Sequence, residues 1–156
     1  MDNGTTRTRH TGRLLAGPLL LVVLAGLAGP APAMAQDFLA LGITDQYQKQ
    51  AGGVIVLGHR FDQRRWQFEL GGIAGTVNQD VAWTSIARTF RHKHWSLTFG
   101  PAVTTRITPI LTGHLQFITT IGYQAGCCQF AFRHISNSGI QGANLGTNIV
   151  MLSWEL

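Results

Sequence analysis

The chain has 156 residues and a formal net charge of +5, a length that bounds it to one small domain. Three of its arginines and one aspartate fall before residue 14, so residues 36–156 keep nine Lys and Arg against six Asp and Glu. The basic balance is therefore partly an N-terminal effect and gives no argument for a nucleic-acid partner.

Residues 1–13 are polar and carry Arg7, Arg9 and Arg13. Leu14 to Leu27 is an apolar run, and Ala33-Met34-Ala35 is a small-x-small site before Gln36. That order reads as a secretory signal peptide over 1–35, followed by a domain over 36–156. The run is short for a membrane anchor and is broken by Gly26, Gly29 and Pro30.

After residue 35 the recurring pattern is alternation over about ten residues, punctuated by polar or glycine-containing turns. The first strand, Asp37–Gln46, puts Leu39, Leu41 and Ile43 on one face; the second, Gly53–Phe61, is mixed. After the turn at 62–65, Trp66–Gly75 sorts Trp66, Phe68 and Leu70 against Gln67, Glu69 and Gly71. The fourth strand runs from Val81 to about Phe90, with Arg91-His92-Lys93 as its turn. Arg88, Arg91 and Lys93 read together as a solvated turn. The fifth, Trp95–Val103, and the sixth, His114–Gln124, alternate cleanly, and a turn at Gln124–Gly126 leads to the seventh. In the seventh, Cys128, Phe130, Phe132, His134 and Ser136 share a face opposite Gln129, Ala131, Arg133 and Ile135. The eighth, Asn148–Leu156, sets Asn148, Val150, Leu152 and Trp154 against Ile149, Met151 and Ser153.

Cys127 and Cys128 read as small strand residues, since neighbours in a strand point to opposite faces and a bond between them would need strained geometry. No metal-ligand spacing surrounds them. His92, His94 and His114 also lack metal spacing. Trp66, Trp83, Trp95 and Trp154 read as interfacial girdle residues.

Eight strands, most with one large apolar face and one small or polar face, predict an all-β fold: an eight-stranded antiparallel outer-membrane β-barrel. A soluble sandwich would instead pack the apolar faces inward. Export, the polar set Gln67, Glu69, Gln116, Thr120, Gln129 and Arg133, and a terminal alternating strand favour the barrel. Eight strands enclose only their own side chains, which disfavours a pore. With both ends of the domain in the periplasm, the turns at 62–65, 91–93 and 124–126 are periplasmic. The longer connections 105–113 and 137–147 are then external, and His134 and Ser136 lie near the outer surface.

His134 and Ser136 place a general base two residues from a hydroxyl nucleophile on an apolar face, which suits attack on an acyl chain. Strand eight returns beside strand seven, and parity sets Asn148 on the same face and at the same height. The run His134-Ile135-Ser136-Asn137-Ser138-Gly139-Ile140, with Asn144, Gly146 and a polar residue at 148, resembles the C-terminal signature of PagL-type lipid A 3-O-deacylases. The resemblance implies an outer-membrane barrel that hydrolyses the ester-linked acyl chain at the 3 position of lipid A, without a cofactor or metal. His134 would be the base, Ser136 the nucleophile and Asn137 the oxyanion stabiliser. Lipopolysaccharide would be the partner; self-association into a homo-oligomer is left open. The best-known members carry a glutamate twelve residues after the serine, where this chain has Asn148. An Asn can orient the histidine by accepting its ring N–H but supplies no charge. Glu155 lies about 24 Å further along the strand with interior parity. The alternative is a non-catalytic lipopolysaccharide-binding or structural barrel, and a weaker one is an exported lectin-like sandwich.

Overall fold

The computed structural model describes residues 36–44, 52–61, 63–74, 80–108, 111–140 and 146–156. The signal-peptide reading, the last residues of the first and third predicted strands, Asp62 and Asn144 lie outside them. Eight strands follow in chain order: β1 (Gln36–Thr44), β2 (Gly53–Phe61), β3 (Trp66–Ala74), β4 (Val81–His92), β5 (Trp95–Thr104), β6 (Leu115–Ala125), β7 (Cys128–Ser136) and β8 (Thr147–Glu155). Each pairs antiparallel with its neighbour, and β8 returns to β1 through pairs such as Leu41↔Leu152, so the sheet closes into a barrel. Closure leaves no open edge, and it excludes the two-sheet sandwich.

Alternation decides which face goes where. Leu41, Phe68, Phe90, Leu97, Phe132 and Val150 all stand exposed on the outer wall. The inner wall combines a polar set, Gln67, Glu69, Thr98, Thr120 and Arg133, with an apolar core that includes Trp83, Ile118, Ile135, Ile149 and Met151, all buried. Room for these comes from inward glycines: a Cβ at Gly71 would run into the Trp83 indole.

Many of the interior polar groups pair with one another, though Arg133 Nη1, Arg60 Nε and Trp83 Nε1 are buried without a partner among the described residues. Arg133 Nη2 donates to Glu69 Oε1 at 2.7 Å, and its Nε donates to Thr120 Oγ1 at 2.8 Å. Gln67 Nε2 donates to Glu69 Oε1 at 2.7 Å, and Ser85 Oγ donates to Oε2 at 3.2 Å. Burying a lone charge costs several kcal/mol, and this shared network offsets that cost. Gln116, expected in the same set, instead donates to Gly113 O at 2.6 Å near the other end of the barrel.

Four expectations need correction. Arg88 lies within β4 and faces the outer wall, not a solvated turn. Arg91 and His92 continue β4, and the turn falls at 93–94, where Lys93 has φ 53°. Trp83 faces inward and is buried, because β4 turns its odd residues to the interior; it is no girdle residue. Cys127 sits in the turn before β7, not in a strand, so the opposite-faces argument fails and the two sulfurs lie 2.9 Å apart.

Candidate active site

β7 carries His134 and Ser136 on its outer face, both half-buried. The register sets His134 opposite Asn148 on β8 and opposite Thr119 on β6. Ser136 stands opposite Phe117. His134 Nδ1 lies 2.8 Å from Asn148 Oδ1. An amide oxygen only accepts, so Nδ1 carries the hydrogen, and a neutral ring so held would present its lone pair on Nε2. That tautomer is the one a general base needs.

Gly146 closes over the same ring. A Cβ there would stand 2.6 Å from His134 Cε1 and 2.9 Å from Nε2, and its φ of +70° already favours glycine. The residue just before β8 therefore fixes how far the imidazole can swing. Ser136 Oγ makes no hydrogen bond to His134 among the described residues. Catalytic hydrogen bonds are often long before substrate binds.

Asn137 has the opposite parity and is fully buried. Its Oδ1 accepts the Gly139 N–H at 2.9 Å, and its Nδ2 donates to Thr112 Oγ1 at 3.1 Å. The Ile140 N–H returns to the Asn137 carbonyl at 3.0 Å. These bonds close a tight turn through Ser138 and Gly139, both at positive φ. The fold thus pairs His134 with Asn148, keeps Ser136 two residues along on the same face of β7, and turns the Asn137 side chain inward. The Asn137 amide has a second N–H beyond the one given to Thr112.

The wall around the site is apolar. Phe99 and Phe117 stack with centroids 5.9 Å apart and planes 2° apart. Ile121, Phe132 and Val150 continue the surface along β6, β7 and β8, all exposed. Glu155 is remote: it accepts Arg60 Nη1 and Arg64 Nη1, each at 3.1 Å, at the opposite end of the barrel.

Thr112 and Thr119 escaped the sequence reading. Thr119 has outward parity in β6, but only the inter-strand register sets it beside His134. Thr112 lies in a connection that carries no periodic signal.

The crystal structure of the outer membrane enzyme PagL has this fold. It matches with a TM-score of 0.61 over 78% of this chain and 98% of that one, at 19% sequence identity. No family model matches the chain, and comparison with curated proteins finds no relative. The likeness to PagL is one of fold.

Proposed function

We propose that this chain is an outer-membrane esterase that removes the 3-O-linked acyl chain of lipid A. His134 Nε2 takes the Ser136 hydroxyl proton as Oγ attacks the ester carbonyl. The tetrahedral intermediate collapses, the sugar 3-oxygen leaves with the proton from His134, and the acyl group stays on Ser136 as an ester. Water, deprotonated by the same nitrogen, then releases the fatty acid and restores the serine. Asn148 holds the ring in the working tautomer, and the inward Asn137 side chain, expected at the oxyanion, braces the turn that follows Ser136. No cofactor enters these steps.

The observation that carries the reading is the His134–Asn148 hydrogen bond beside Ser136, on the outer apolar wall. An apolar wall facing outward suits a bilayer, and no strand edge remains unpaired there. A site on that wall can take a lipid substrate directly from the leaflet. The PagL likeness supports the outer-membrane placement by analogy of fold alone, and the lipid A substrate rests on the resemblance carried by the run from His134 to Asn148. The signal-peptide pattern over 1–35 supports export.

The test is release of 3-hydroxy fatty acid from lipid A by the protein in detergent micelles. Wild type should release it and Ser136→Ala should not; equal inertness of both would sink the esterase. A second reading, a non-catalytic lipopolysaccharide-binding barrel, is favoured by one observation: the third member is the neutral Asn148. It predicts lipid A binding that Ser136→Ala leaves unchanged, with no release by either protein.

A further inference from the structure

Among the outward-facing positions of the described strands, Arg88 on β4 is the only Lys or Arg. It was expected in a solvated turn and instead stands on the apolar wall. Its cross-strand neighbours are Trp66 on β3 and Phe99 on β5. The guanidinium carbon lies 5.6 Å from the Trp66 ring centroid and 5.4 Å from that of Phe90. Trp66 opens β3, so the group sits near the rim where the tight turns gather. Arg65 adjoins it: its carbonyl accepts the Thr89 N–H at 2.7 Å, which ties the β2–β3 turn to β4.

Neither Arg88 nor Arg65 pairs with a carboxylate among the described residues. The described carboxylates at this end are engaged elsewhere, Asp37 with His59 and Glu155 with Arg60 and Arg64. Exposed His92 and Lys93 add to the same rim.

We propose that Arg88 anchors a binding site for the phosphate of an anionic phospholipid. The proposal rests on the membrane placement argued above, and not on the esterase. A cation facing lipid is unfavourable unless it reaches an interface or an anion. The planar fork of a guanidinium matches phosphate oxygens with paired N–H donors. Trp66 and Phe90 hold that fork by their ring faces, and an indole is at home at headgroup depth. Net anionic character matters because Arg65 and Lys93 would repel the ammonium of a zwitterionic headgroup. With this end in the periplasm, the lipid belongs to the inner leaflet, three strands around the wall from His134.

Native mass spectrometry can read this with phosphatidylglycerol and phosphatidylcholine of identical acyl chains. Wild type should retain the anionic lipid about tenfold better, Arg88→Gln should bring the ratio to about one, and Arg88→Lys should fall between. Equal retention of both lipids by wild type, or an unchanged ratio in Arg88→Gln, overturns the site. An equal loss in Lys93→Gln also overturns it, since the preference would then belong to the charged rim as a whole. Insertion into vesicles of either lipid, read by protease protection, is scored separately. Failure to insert would overturn the membrane placement and this site with it, whereas insertion without lipid preference would overturn the site alone.

Discussion

At the residue scale, Asn148 and Gly146 govern the proposed chemistry through one ring. Replacing the acid of a Ser-His-Asp triad by Asn can cost on the order of 10⁴ in rate because the wrong tautomer is held. Here Oδ1 faces Nδ1, so the tautomer is right and only the charge is missing. Asn148→Glu should therefore raise kcat by about tenfold or more, each tenfold being about 1.4 kcal/mol of barrier. Asn148→Leu, which removes the acceptor, should lower it; initial rates of fatty acid release check both. Gly146→Ala would press a methyl group on the Cε1–Nε2 edge of the imidazole. A displacement near 1 Å can cost about a hundredfold, so kcat should fall about that much while the unfolding midpoint in detergent moves little. A large fall in the midpoint would instead make Gly146 a structural residue of the connection.

At the scale of elements, parity within a strand was readable and register between strands was not. The alternation of β3, β5 and β7 placed Phe68, Leu97 and Phe132 outward from sequence alone, because a buried polar face and an exposed apolar one differ so strongly in type. Trp83 misled because its size suggested a girdle, while the space that admits it inside comes from Gly71 on another strand. Asn148 beside His134 could be placed by parity and height. Thr119 could not, since that needs the β6–β7 register. The strands are tied internally by Glu69, which receives Arg133, Gln67 and Ser85. Glu69→Ala leaves the Arg133 guanidinium buried without its counter-charge. It should destabilise the barrel by about 3–5 kcal/mol in urea unfolding from micelles. Glu69→Ala together with Arg133→Met should recover much of that loss.

At the scale of the molecule, large apolar side chains cover the outer wall, while the interior holds a buried ion pair and amides beside an apolar core. The purified protein should stay monodisperse in detergent and aggregate when detergent is removed, by light scattering. The closed topology was legible because the strand count was even and most segments alternated. The role of the His134 corner is less legible, since a His and a Ser at a strand end are common, and only the longer run through Asn137 and Gly146 gave it meaning. The central claim is that this corner cleaves one ester at one position of lipid A. Its most direct measurement is the mass spectrum of lipid A extracted from cells that express the chain. The account predicts loss of a single 3-hydroxyacyl group, from the 3-oxygen, in cells carrying wild type and its full retention with Ser136→Ala. Lipid A of unchanged mass with the wild-type protein folded in the outer membrane, or loss that persists in Ser136→Ala, would contradict it.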